Sequence, residues 1–164
     1  MNTNLTSLLK ARPGLRHVHH QIIRDALYCF SKFDLACVQN LRDNAHRLIR
    51  HTYMDDDGNG CVFGLLSENL PTHLRIRDRG SLTTWFTGGC GPMYRELTEY
   101  QPARYLVRIW DGDRDHGTEA RYDSWRGRLT QENIRDLAEI HLELRAQERA
   151  ETTAAMVATT VAMS

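Results

Sequence analysis

At 164 residues, with 21 basic and 21 acidic side chains and a formal charge of zero at pH 7, the chain has the size of one domain and needs neither disulfide nor metal to bury a core. No run of apolar residues approaches the roughly 18 that a membrane span needs, and overall neutrality excludes a surface built throughout for gripping nucleic acid. The N-terminal sequence has no basic segment followed by an apolar run, so no secretory signal is read there and a cytoplasmic protein is expected.

Apolar residues recur at Leu15, Val18, Ile22, Ala26 and Phe30, with Ile23 and Leu27 widening the stripe, which predicts a helix following Pro13 and Gly14. Ser31 and Asp34 resemble a capping box with Asp in place of Glu, opening a second stripe through Leu35, Val38, Leu41, Ala45, Leu48 and Ile49. Together they predict a helical hairpin over residues 15–51. The Asp- and Gly-rich residues 55–60 force a turn, and the apolar run from Cys61 to Leu66 fits a buried helix better than a strand. Ser81 is placed as the cap of a short helix through Leu82, Trp85 and Phe86 that Gly88 and Gly89 end. Pro92 and Pro102 are each read as first-turn prolines, although Tyr105 to Trp110 alternates and leaves a small β element open. Thr130 caps a last long helix with the stripe Ile134, Leu137, Ile140 and Leu144. The expectation is a mainly α, compact helical bundle as one domain over residues 1–150, with residues 151–164 as a low-complexity tail or helix extension.

Asp55, Asp57, Asn59, Gly60 and Val62 match the first eight positions of an EF-hand calcium loop. The twelfth position, which supplies a bidentate Glu, is Leu66, and Glu68 lies two residues too far along. A polar turn is the expectation, with Asp55, Asp57 and Asn59 a weak calcium candidate; the acidic run at 111–117 has His116 where glycine is required. Cys90, among glycines ahead of a helix start, has the setting of an activated thiol but no His within twelve residues. Cys29, Cys37 and Cys61 sit in apolar runs, as buried free thiols do. His17, His19 and His20 offer too few ligands for a structural zinc, and Trp85, Trp110 and Trp125 read as packing.

The neutral total hides an asymmetry. Residues 1–54 hold eight basic side chains against Asp25, Asp34 and Asp43, a net of +5, which leaves −5 for the remainder. Arg16, His20 and Arg24 stand at i, i+4 and i+8, and Arg42, His46 and Arg50 repeat that spacing. Each stripe lies about 110° from its helix's apolar centre in the same rotational sense, so in an antiparallel hairpin the two either diverge to opposite edges or converge on one anion-binding groove. The sequence completes no catalytic constellation. That favours a non-enzymatic interaction or regulatory module without cofactor, binding a protein partner or a second copy of itself. The alternatives are a nucleic-acid-associated factor using the basic hairpin and a thiol enzyme centred on Cys90.

Overall fold

The computed structural model describes residues 3–87, 93–112 and 128–164, and over these the chain is mainly helical, with no strand. In order come α1 (Thr3–Lys10), a 3-10 turn (Pro13–Leu15), α2 (His20–Ser31), α3 (Leu35–Asp43), a 3-10 turn (Ala45–Arg47), α4 (Val62–Ser67), a 3-10 turn (Thr72–Leu74), α5 (Arg79–Thr87), α6 (Met93–Asp111) and α7 (Gln131–Met163). None of the described helices is long and apolar enough to cross a membrane.

The N-terminal part of α7 is the element on which α1, α2 and α3 all lie; α2 also packs on α6, α6 on α5, and α3 on α4. Ile22, Ala26 and Phe30 of α2, Val38 and Leu41 of α3, and Ile134, Leu137 and Ile140 of α7 are buried, so these stripes at helical spacing form one continuous core. Each large side chain so buried contributes roughly 1.5–3 kcal/mol. Phe33, the first residue after α2 and its cap, stacks on Trp85 at 4.7 Å, and Phe63 meets Phe86 edge-on at 5.6 Å. These contacts join α4 and α5 to the rest.

Several boundaries differ from those read in the sequence. Leu15 and Val18 are buried but precede α2, whose first free N–H groups are met by the His19 imidazole: its Nδ1 accepts from the Gln21 N–H at 3.1 Å. Ser31 is the last residue of α2 rather than the cap of α3; its hydroxyl donates back to the Tyr28 carbonyl, and Asp34 takes the N-cap position without a side-chain bond. α3 stops at Asp43 because the Asn44 side-chain amide turns back to the Asn40 carbonyl at 2.9 Å, giving the chain a local alternative to another helical turn. Ala45 and Leu48 still reach the core, from a 3-10 turn and an extended segment.

In α5, Asp78 is the cap and Ser81 its third-residue partner. The Asp78 carboxylate accepts the Ser81 N–H at 2.8 Å while the Ser81 hydroxyl accepts the Asp78 N–H at 3.1 Å. The Ser81 N–H and hydroxyl, both donating to that carboxylate, hold it below its usual range. Pro102 lies inside α6 rather than opening a helix. Its missing N–H and ring clash cost about 3 kcal/mol, which the burial of Ala103, Leu106, Ile109 and Trp110 just beyond it outweighs. Tyr105 to Trp110 is therefore helical, and β pairing among the described residues is limited to isolated bridges from Gly60 to Leu48 and Met54. The Thr130 cap is as expected, completed by Asn133: the Thr130 hydroxyl accepts the Asn133 N–H, and the Asn133 side-chain oxygen accepts the Thr130 N–H. α7 continues through residues 151–163, and every side chain from Glu148 onward is exposed, Met156 at 66% and Met163 at 83%.

Candidate functional site

Arg16 stands in the turn ahead of α2 and His20 is that helix's first residue. Both line a cleft of about 350 Å³ with Lys10 at the end of α1. Its floor is Leu9, Leu15, Val18 and Ile23, the last three buried, and Lys10, Arg16 and His20 are exposed at its edge. The His19 and His20 rings stack at 4.5 Å, which fixes the His20 side of the mouth. Among the described residues, the Lys10 ammonium and the Arg16 guanidinium carry neither an ion pair nor a hydrogen bond. Arg12, which shares this cleft, is committed elsewhere. Its guanidinium donates to the Leu8 carbonyl at 3.2 Å and pairs with Glu143 at 2.8 Å and Glu139 at 3.5 Å, tying the end of α1 to α7. Arg24 is exposed farther along α2 and does not line the cleft.

The second stripe does not join the first. Arg42 pairs with its neighbour Asp43 at 2.9 Å, and Arg42 and His46 border a separate cleft of about 240 Å³ against Glu132 and Arg135 in the first turns of α7. Arg50 is an internal fastener: its guanidinium lies 4.2 Å over the Trp110 ring and donates to the Trp110 and Leu129 carbonyls, the latter at 2.7 Å. At the C-terminus of α6 it meets the Trp110 carbonyl, one of those that a helix end leaves without a partner in the helix. The Trp110 indole in turn donates to the Ile49 carbonyl at 2.7 Å. The separation has two causes. α3 ends before His46, so His46 and Arg50 leave the helical rotation that Arg42 follows, and α2 and α3 each lie against α7.

The loop over residues 55–60 is built as a closed polar turn. The Asp55 carboxylate accepts the N–H groups of Asp57 at 2.9 Å and Asn59 at 2.8 Å, and the Asp55 N–H donates to the Asn59 carbonyl at 2.7 Å. Gly58 takes a φ of 81°, the left-handed region that favours glycine. Arg47 reaches into the loop from outside, donating from Nε to the Gly58 carbonyl at 2.7 Å and from Nη1 to Glu68 at 2.9 Å. Glu68 also accepts from the Asn40 amide at 3.2 Å. The Arg47 hydrogen bonds hold the Glu68 carboxyl below its usual value and raise the guanidinium's own. Leu66, at the position of the bidentate ligand, is fully buried in α4. The Asp55 carboxylate is thus taken up by the N–H groups of its own loop, and Glu68 is already engaged by Arg47 and Asn40. Calorimetry with calcium should show no micromolar binding, and Asp55→Ala should leave the titration unchanged; a saturable micromolar isotherm abolished by that substitution would show a working loop.

Cys29, Cys37 and Cys61 are buried free thiols. Burial pushes each thiol up, that of Cys61 to about 12, which leaves them un-ionised at neutral pH. No group of three or more His, Cys, Asp or Glu is placed to hold a metal among the described residues. The Cys90 reading, Trp125 and the acids at 113–117 lie outside the described residues.

No protein-family model, curated protein or solved structure matches the chain. Sequence reading overlooked Arg12 and Arg47, whose partners lie 131 and 21 positions away, a separation that leaves no local signature.

Proposed function

We propose that the domain is a non-catalytic binding module that takes an acidic segment of a protein partner in the cleft between α1 and α2. The observation that carries this reading is an apolar floor rimmed by Lys10, Arg16 and His20, with neither Lys10 nor Arg16 ion-paired among the described residues. An acidic amphipathic segment meets both parts: its apolar side chains cover Leu15, Val18 and Ile23, while its carboxylates face the rim. A few buried aliphatic groups at roughly 1.5–3 kcal/mol each supply most of the affinity. Exposed ion pairs add about 0–1 kcal/mol each, so the rim chiefly steers the encounter and fixes orientation. The −5 remainder of the chain disfavours a polyanion approaching from other directions.

The test is a fluorescence titration with labelled acidic amphipathic peptides, beside duplex and single-stranded nucleic acid, over a range of salt. Peptide binding should weaken only modestly with salt and should fall about tenfold or more in the double variant Lys10→Glu, Arg16→Glu, where attraction becomes repulsion, while Arg42→Glu leaves it intact. A nucleic-acid binder with 6 to 10 phosphate contacts loses about 10³ to 10⁵ in affinity between 50 and 200 mM salt. Sub-micromolar nucleic-acid binding with that dependence, abolished by Arg16→Glu, would replace the peptide reading.

A further inference from the structure

His141 lies on the packed half of α7 and is 5% exposed. Its ring stands edge-on to that of Phe30, fully buried near the end of α2, with centroids 6.1 Å apart. The imidazole is therefore part of the seam along which α2 packs on α7. It has neither a hydrogen bond nor an ion pair among the described residues. The charged groups that act on it are Arg145 and Glu148, one and two turns farther along its own helix. On the elements packed against α7 the charges are engaged elsewhere or stand in solvent. Arg12, beyond α1, is held by Glu139 and Glu143; Asp25 of α2 accepts from the Gln21 amide; Arg42 of α3 pairs with Asp43, and Arg47 with Glu68. Lys10, Arg16 and Arg24 are exposed, and none of these groups acts on the imidazole.

We propose that His141 is an acid-operated release in the seam between α2 and α7: as a neutral ring it packs, and as an imidazolium it parts the two helices. Burying a neutral imidazole beside Phe30 costs far less than burying a cation, which sheds its water there and gains no ion pair among the described residues. Burial accordingly lowers the imidazole from its ordinary value of 6.5; Arg145 adds to the shift and Glu148 opposes it. As pH falls through 6.5 the unfolded chain takes up the proton first. The stability that the neutral ring confers is thus complete above 6.5 and is lost as pH falls from there toward the lower folded value. His141 does not line the cleft between α1 and α2, so its effect is independent of what that cleft binds.

The experiment compares urea unfolding of the full chain at about pH 7.5 and pH 5.5 with that of His141→Leu, and follows the His141 ring of the parent by NMR titration. Over this range the proton taken up by one unfolded histidine of ordinary value lowers the folded-to-unfolded ratio at most about tenfold. The parent should lose severalfold more than His141→Leu, because the remaining histidines titrate alike in both chains. The parent ring should titrate below 6.5 in the folded state. Hydrogen exchange at the lower pH, corrected for the intrinsic rate, should show the amides of Ala26 to Phe30 in α2 losing more protection than those of Phe63 to Leu66 in α4. A folded-state ring that titrates at 6.5 or above would overturn the proposal, whether or not His141→Leu folds. So would equal losses in the parent and His141→Leu, or protection lost equally in α2 and α4.

Discussion

Gly64→Ala should destabilise the domain by about 3 kcal/mol or more, although alanine is the better helix former by roughly 1 kcal/mol. Gly64 lies in α4, where every residue from Val62 to Ser67 is buried. A methyl group on Gly64 would overlap the Tyr53 carbonyl oxygen, with the carbonyl carbon at 2.7 Å and the Met54 methyl at 3.5 Å. A backbone oxygen cannot rotate aside as a flexible side chain does. The Tyr53 oxygen also accepts the N–H of Cys61, the N-cap of α4, at 3.2 Å, so relief of the clash disturbs the helix start. Gly80→Ala is the matched control, because its added carbon meets only the Asp78 carboxylate at 3.4 Å, and there the propensity gain should show. Urea unfolding followed by circular dichroism checks both. A Gly64→Ala midpoint equal to that of the parent would mean that α4 does not rest on the Tyr53 backbone.

The second large effect is expected at Arg47. Arg47→Met should cost about 2–3 kcal/mol, since it removes charge-assisted hydrogen bonds and leaves the Gly58 carbonyl and Glu68 short of a donor. The pair is only partly shielded, the two side chains retaining 23% and 25% of their exposure, so the loss stays below that of a fully buried pair. Glu68→Gln should cost less, because the amide still accepts one bond from Arg47, and the double substitution should show a coupling of about 1 kcal/mol. Acid sharpens the prediction. The Arg47 bonds lower the folded-state value of the Glu68 carboxyl from 4.5, so between the two values the unfolded chain binds the extra proton. The stabilisation is complete above the unfolded value and drains away as pH falls through the folded one. In Arg47→Met the fall in stability below about pH 4.5 should therefore be shallower than in the parent. Equal slopes would show that the pair does not couple to folding.

Much of the fold was legible because a helix writes its buried face at a short, regular spacing. Ile22 to Phe30 and Ile134 to Ile140 are apolar at that spacing and buried throughout. The apolar pattern fixes burial more firmly than conformation. Ala45 and Leu48 continue the stripe of α3 into the core after the helix has stopped, since a side chain of the right size at the right distance satisfies the core from a turn as well. Capping was read correctly at Thr130, whose Asn133 partner only the structure shows, and misread where a serine stood near an Asp that could take the cap instead, as at Ser31 and Ser81.

The candidate sites were less legible for a reason peculiar to arginine. Its charge is written in the sequence, but its partner is not. Arg16 remains at a cleft edge, while Arg50, with the same place in its stripe as Arg24, is spent on carbonyls 60 and 79 positions away. A stripe of guanidinium groups therefore marks surface and fastener alike.

The unsupported reach of α7 has a consequence for cooperativity. At 33 residues the helix extends about 50 Å, and its first turns, with Ile134, Leu137 and Ile140, lie in the buried core. Beyond Glu148 no side chain is buried, and residues 152–163 include the β-branched Thr152, Thr153, Val157, Thr159, Thr160 and Val161, which gain little from the helical state. One continuous hydrogen-bond ladder thus spans two energy regimes. Amides near Ile134 to Ile140 open only with the whole domain, at its full free energy, whereas those toward Met163 open by helix–coil fraying within about a microsecond and at almost no cost. The far end of α7 is a segment whose order is set by its surroundings rather than by the fold.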